Sequence, residues 1–577
     1  MPLMTPLRHT VTAALASLSL LGAAPVAAQS ALDVTTAQGP LSGVVTDDLQ
    51  SWLGVPFAAP PVGALRWQPP QPMKSWNAVR KANTVASSCA QNADLGVFAR
   101  AGGSEDCLYL NVYRSASAAQ ASQKLPVFVW IHGGAMQVGQ GADYDATKMA
   151  LRGKAIVVTI NYRLGVFGFF AQRALDSEGH PSANYGLLDQ QAALRWIKQN
   201  IGAFGGDPTN VTIAGESSGG NSVMLQIASP LAAGTFQHAI AMSGAGVMTR
   251  YPAFGAPRPM AVAQALGDRL AKEVGCVADT AACLRALPAK RLLDSQTDYL
   301  LNEAIIDGTV VPMHPSDAYR KGQINHVTLI NGSTHDEARF FVALPELASG
   351  KALTVADYPV WLERQYGATL GPKVAREYPL SRYDSASEAF AAAATDSMFA
   401  CTGLALDRSL ANKIPVYAYE FSDGTAPTYV GPTTFPLLAS HTYELAYIFP
   451  GFRGGADVTV KLNPLQEKLS DQMVDYFAHV GDLASRTEWP RFDAKRDDVM
   501  TFKLPGAEMT SGRFAAFPAA ASGIAPAPTE HFRPLLPKQR TYDEDVRSRR
   551  RTCRARYRKL RSRFGPCRLH RGKARSV

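Results

Sequence analysis

A serine set between two glycines, in Gly215-Glu216-Ser217-Ser218-Gly219, is the part of this chain best suited to covalent chemistry. A short apolar, β-branched run at 211–214 leads into it, and small residues with a helical pattern follow. That order suits a nucleophile elbow. A strand delivers the serine to a sheet edge, a sharp turn strains its backbone, and the next helix points its N-terminus at the site. Gly215 and Gly219 leave room where a Cβ would clash. A hydroxyl so placed can attack an acyl carbon only with a base in hydrogen-bond reach and a carboxylate to orient that base. The five-residue pattern alone arises often by chance; the strand before it and the partners after it give it weight.

The chain order expected around such a turn is serine, acid, histidine. Beyond Ser217 the histidines are His238, His314, His326, His335, His441 and His479, before the tail with its final His570. Ser440-His441-Thr442-Tyr443-Glu444 is a polar segment ahead of an apolar stretch at 445–449, a fit place for a base reaching a sheet edge. Glu444 is expected to brace that loop. For the acid, an expected strand ending at Asn331 runs into Gly332-Ser333-Thr334-His335-Asp336-Glu337, where spacing does not separate Asp336 from Glu337. A tetrahedral intermediate also needs backbone N–H donors. Trp130-Ile131-His132-Gly133-Gly134-Ala135 follows a buried run, so the amides of Gly134 and Ala135, with that of Ser218, could form an oxyanion hole.

These residues need a scaffold. Continuous apolar runs at 125–131 and 156–160 read as strands covered on both faces. Residues 104–113 read as a loop that becomes an alternating strand, and other strands are expected at 238–243, 327–332 and 416–421. Residues 187–201 read as a helix burying Leu194, Ile197 and Ile201, with Gln190, Gln191 and Lys198 left to water. A last helix starts at Asn463-Pro464, a cap residue followed by proline at the first helical position, and passes through Leu469, Met473 and Phe477 to Gly481. Alternating strands and helices predict an α/β fold with a mostly parallel central sheet, its ligand beyond the carboxyl ends of the strands, where Ser217 falls. Helical patterns within 250–400 break the rhythm and are expected to form a cap.

With 577 residues, 46% hydrophobic and 18% charged, the chain can build a large core. Arg8 followed by an apolar run at 11–26 and the small residues Ala27 and Ala28 reads as a signal peptide cleaved after Ala28. That predicts a secreted or periplasmic protein with no stable membrane anchor after cleavage. The net charge of +10 comes from the end: fourteen Lys and Arg and no Asp or Glu follow from Arg547, so the rest is net acidic. No specific nucleic-acid partner is therefore expected. The Pro/Ala-rich stretch from Pro518 marks the end of compact structure, giving a catalytic domain over 29–517 and an appended linker and basic tail over 518–577. Seven cysteines leave at least one thiol without an intrachain partner. Cys89 and Cys107, and Cys276 and Cys283, are spaced for local disulfides, while no His/Cys cluster has metal-ligand spacing.

The chain resembles the type-B carboxylesterase and cholinesterase family of α/β-hydrolases. Residues 204–219 fit that family's serine-site pattern throughout, and Glu105-Asp106-Cys107-Leu108-Tyr109-Leu110-Asn111-Val112 fits its second signature, with Ser115 where a proline often follows. Residues 54–67 and Asn161-Tyr162-Arg163-Leu164-Gly165 match two further segments, and the likeness extends over residues 35–505. The resemblance implies a serine esterase acting on small-molecule esters without cofactor or metal. It implies Ser217 as nucleophile, His441 as general base and acid, Glu337 as the acid, and Gly134, Ala135 and Ser218 as oxyanion donors. It also implies the pairs Cys89–Cys107 and Cys276–Cys283. Ala135 replaces the family's third loop glycine, Met136 an aromatic, and Ala338 the glycine after Asp336-Glu337. Two alternatives share the fold: a non-catalytic binding protein, and a thioester or amide hydrolase.

Overall fold

The apolar runs become the middle of one sheet. In the computed structural model of the chain the described residues are 32–92, 100–117, 123–180, 183–296, 303–452 and 460–511. The expected signal segment, the stretch from 518 onward, Cys553 and Cys567 lie outside them. In chain order the strands of the large sheet are β1 (Val44–Thr46), β2 (Leu49–Pro56), β3 (Tyr109–Ser115), β4 (Leu125–Ile131), β5 (Ile156–Ile160) and β6 (Gly206–Glu216). There follow β7 (His238–Met242), β8 (Thr328–Thr334), β9 (Val416–Phe421), β10 (Val499–Lys503) and β11 (Gly506–Thr510). They lie side by side as β11-β10-β9-β8-β7-β6-β4-β5-β3-β2-β1. The run from β10 through β5 is parallel and the strands at both margins are antiparallel. Every residue of β5 and β9 is buried, as expected for strands with helices on both faces.

Register lines up the carboxyl ends. Ile131 of β4 pairs with Gly215 of β6, Glu216 with Met242 of β7, and Met242 with Gly332 of β8. The segments leaving β4, β6, β7 and β8 therefore emerge along one edge. Strand β6 is longer than the run at 211–214 suggests, because β4 and β7 pair with it on both sides. Strand β3 begins at Tyr109, after the Cys89–Cys107 disulfide, so the segment from 104 is a loop before it becomes a strand, as expected. Cys276–Cys283 is also formed, and Cys401 is a free thiol.

Helix α1 (Tyr185–Asn200) forms where expected, but Gln190 and Gln191 do not face water. Their amides donate to Ser222 and to Gln226 and Ser229 of the elbow segment, so a polar ladder holds α1 against α2 (Ser218–Ala228). The segment 250–400 contributes helices outside the sheet rhythm: α3 (Met260–Glu273), α4 (Ala338–Ser349), α5 (Tyr358–Glu377) and α6 (Ala386–Thr395). A π-helical turn at Asp396–Ala400 joins α6 to α7 (Cys401–Leu410). The stretch Ala386–Leu410 is long and apolar enough to cross a membrane, but 67% of its apolar window is buried inside the protein, as in a core helix. Helix α8 (Pro464–Phe477) opens with a capping box between Asn463 and Gln466. It ends four residues before Gly481, since His479 leaves the helical conformation.

One buried ion pair fixes the turn after β5. Asp189 accepts two bonds from the Arg163 guanidinium, both 2.8 Å, and a third from the Arg163 amide, with both side chains nearly sealed from solvent. Asp189→Ala strands a buried guanidinium and should cost about 3–5 kcal/mol in urea unfolding. Arg163→Met with Asp189→Leu should cost distinctly less, and equal losses would mean the charge itself contributes nothing.

Candidate active site

Ser217 stands between β6 and α2 with φ +58° and ψ −123°, a conformation that L residues rarely adopt. Its amide donates to the Met242 carbonyl and its own carbonyl accepts from the Asn221 amide, both at 2.9 Å. The turn is tight because backbone meets backbone. A Cβ on Gly215 would lie 2.5 Å from the Gly219 carbonyl carbon, and one on Gly219 would run into the Ile131 carbonyl oxygen.

His441 reaches this turn from the loop ahead of 445–449. Its Nδ1 lies 2.5 Å from Oε2 of Glu337, and the pair is 3% and 0% exposed. The other Glu337 oxygen accepts from Ser243 Oγ at 2.5 Å and from the Thr334 amide at 2.8 Å. The open choice between the two adjacent carboxylates is thereby resolved geometrically: Asp336 turns away, accepting from the Ala439 amide and pairing with Arg339 at 3.3 Å. The rings of Phe341 and Phe399 flank the imidazole at 4.8 and 5.4 Å. His441 Nε2 faces Oε1 of Glu216 at 3.2 Å, and among the described residues no hydrogen bond joins it to Ser217 Oγ.

Glu337 and Glu216 thus face one imidazole, and Glu444 lies buried within electrostatic reach of both carboxyls. Burial, then the charges of Glu444 and Glu337, pushes the Glu216 carboxyl well above the usual range. Burial, then Glu337, does the same to Glu444. Glu444 is not the loop brace expected from sequence; among the described residues neither of its side-chain oxygens has a hydrogen-bond partner. Sequence reasoning also missed Ser243 and the placement of Glu216. Ser243 is the first residue beyond β7, and the alignment of parallel strand ends was the signal that could have found it.

The oxyanion-loop expectation has a backbone basis. Gly134, Ala135 and Met136 all have positive φ, and the Met136 amide donates to Ser218 Oγ at 2.9 Å, tying this loop to the elbow. His132 is structural: fully buried, stacked on Tyr162 at 4.5 Å, its imidazole pushed down to about 4 by burial. Gly134, Ala135, Ser217, Ser218 and His441 open on a cavity of about 350 Å³ whose walls carry many aromatic side chains. Among the described residues no group of three His, Cys, Asp or Glu is arranged to hold a metal ion.

A strained serine at the carboxyl edge of a mostly parallel sheet, beside a buried histidine–carboxylate pair, defines an α/β-hydrolase. The chain belongs to the carboxylesterase family, whose model matches residues 30–517. It is 35% identical over 485 residues to para-nitrobenzyl esterase of Bacillus subtilis (strain 168), covering 81% of this chain and 94% of that one. To fumonisin B1 esterase of Sphingopyxis macrogoltabida it is 34% identical, covering 85% and 90%. The solved structure of a Geobacillus stearothermophilus carboxylesterase superposes with a TM-score of 0.70 at 31% identity, covering 85% and 99%. The protein is a carboxylic ester hydrolase.

The buried carboxyls carry a pH signature. Burial favours the protonated forms of Glu216 and Glu444 in the fold, whereas the unfolded chain releases those protons above the ordinary value of 4.5. Stability is therefore fullest below that value and falls as pH rises, by up to about 1.4 kcal/mol per unit for each group. Glu444→Gln removes one such proton and should flatten the decline by up to that amount between about pH 5 and 8 in chemical denaturation. An unchanged slope would show that Glu444 is ionised in the folded protein.

Proposed function

We propose that the enzyme hydrolyses esters through an acyl-enzyme on Ser217. His441 Nε2 takes the Ser217 proton as Oγ attacks the carbonyl carbon, and Glu337 holds Nδ1–H and stabilises the imidazolium. The amides of Gly134, Ala135 and Ser218 hold the oxyanion, aided by the positive end of α2. The imidazolium returns its proton to the departing alcohol. His441 then deprotonates water, which attacks the acyl carbon and releases the acid, regenerating Ser217. The observation that carries this reading is the 2.5 Å contact of His441 with Glu337 beside the strained Ser217. Catalytic hydrogen bonds are often loose without substrate, and the relay requires Ser217 Oγ to turn toward Nε2. Burial disfavours the charged forms of Glu216 and Glu444, and Glu337 is the carboxyl in contact with Nδ1.

The aromatic cavity suits bulky apolar acyl or alcohol groups. We further propose that residues 1–28 are removed on export, that 29–517 form the catalytic unit, and that the basic tail takes no part in turnover. Two disulfides in the body are in keeping with work outside the cytoplasm.

A fluorophosphonate probe tests the nucleophile without a choice of substrate. Label should map to Ser217 and vanish in Ser217→Ala; no label on folded protein would sink the acyl-enzyme reading. Glu337→Ala should lower kcat by about a thousandfold or more, while Asp336→Ala should stay within about tenfold. The reverse ranking would reassign the acid.

A further inference from the structure

Helix α2 begins beside the nucleophile and turns one face to the cavity: Ser218, Asn221 and Leu225, spaced three and four apart, all line it. Ser218 Oγ accepts from the Met136 amide, and Leu225 suits a wall that is largely aromatic and aliphatic. Asn221 fits neither pattern. It is 8% exposed, and among the described residues its buried Oδ1 has no hydrogen-bond partner.

The fold makes room for this side chain. A Cβ on Gly246 would lie 3.3 Å from Asn221 Oδ1, and one on Gly255 would lie 3.1 Å from Nδ2, both closer than ordinary van der Waals contact. The amide therefore rests against two bare backbones, and both glycines line the same cavity. A leucine of similar volume would leave no acceptor unpaired, whereas an amide oxygen buried without a donor destabilises the free enzyme. A ligand that donates to it relieves that loss on binding. The helix backbone also fixes where the amide stands. The Asn221 N–H donates to the Ser217 carbonyl at 2.9 Å, so residue 221 sits one turn, about 5.4 Å of rise, into the helix from the nucleophile. A substrate group that meets it belongs to the part of the ester close to the carbonyl.

We propose that Asn221 is a specificity-determining residue that receives a hydroxyl carried by the ester a few bonds from the scissile carbonyl, an inference that rests on the acyl-enzyme reading of Ser217 above. A hydroxyl can donate to the amide oxygen and accept from the amide nitrogen, and a half-turn of the amide exchanges its two ends. A site built to bond a hydroxyl discriminates against the analogue that lacks one, because the buried polar group is then left unpaired. Tyr251 and Glu303 also line the cavity and are the alternative receivers of a hydroxyl, which the variants separate.

The test measures kcat/KM for matched esters, normalised to active sites by fluorophosphonate titration. One set is para-nitrophenyl hexanoate with its beta-hydroxy and beta-methoxy derivatives, each as both enantiomers. The other is meta-tolyl butyrate with its meta-(hydroxymethyl)phenyl and meta-(methoxymethyl)phenyl counterparts. The methoxy group keeps the oxygen and its size but cannot donate. In at least one set wild type should favour the hydroxyl ester, and the hydroxyl-to-methoxy ratio should fall by about tenfold in Asn221→Leu, chiefly through KM. Asn221→Asp keeps an acceptor at the same place and should keep the preference; a merely structural role would lose it in both variants. No hydroxyl preference in wild type, a ratio unmoved by Asn221→Leu, or one lost equally in Asn221→Asp would overturn the proposal, while labelling and turnover of the unsubstituted esters left the esterase reading intact. Neither label nor turnover of any ester in wild type would remove that reading and this one together.

Discussion

Three carboxyl groups share one dry space beside His441, and only one of them can hold a negative charge at low cost. Desolvation disfavours every charged form there, and each ionised neighbour disfavours the next. The charge settles where donors converge. Glu337 receives the Thr334 amide, the Ser243 hydroxyl and the His441 imidazole, while among the described residues the Glu444 carboxyl oxygens receive none. That unequal supply, rather than proximity to Ser217, separates the three: Glu216 is its sequence neighbour, yet burial pushes its carboxyl well above the usual range. The three donors in turn come from different parts of the chain, so the charge can be placed only if the sheet is already in register.

Register is therefore part of the chemistry. Thr334 ends β8, Ser243 follows β7 and Ser217 follows β6, and the parallel pairing of these strands sets all three along one edge. A slip of one residue would move each side chain to the opposite face and break the set. The glycines of the elbow make the same demand from the other direction. Gly219 lies so close to the Ile131 carbonyl that even one methyl group would force β4 and α2 apart. The strain at Ser217 is held by backbone bonds to Met242 and Asn221, drawn from the strand beside it and the helix after it.

Much of this was legible beforehand, for identifiable reasons. Ser217 and His441 could be placed because each sits between an apolar run and a polar turn, and doubly covered strands such as β5 announce themselves as continuous apolar stretches. The choice of Glu337 over Asp336 was not legible from spacing; it depends on which carboxyl the chain turns inward as α4 begins, and only the resemblance pointed to Glu337. Gln190 and Gln191 misled because a helix was judged by its apolar stripe alone. Their amides find partners on α2, so polar side chains are buried without being orphaned. Glu444 was misread in the opposite sense. A carboxylate in a polar loop suggests a partner, and the fold instead buries it with none among the described residues, which raises its carboxyl well above the usual range.

Reaction and selection are housed in different parts of the fold. Ser217 and the Gly134–Ala135 loop hang from the ends of β6 and β4, whose positions are fixed by backbone pairing on both sides. The walls come largely from the 250–400 segment, where short helices tolerate local change. The π-helical turn at Asp396–Ala400 is an instance. Its extra residue per turn rotates α7 relative to α6, Met398 and Phe399 line the cavity, and the Tyr378 hydroxyl anchors the turn through a 2.5 Å bond to Asp396. A substitution in such a wall alters what fits without disturbing the strand ends, so selectivity can drift while the reaction stays fixed. The same separation explains why sequence speaks clearly about the reaction and faintly about the ester. Reaction residues are set by motifs tied to strand ends, whereas wall residues are set by how separate helices happen to pack.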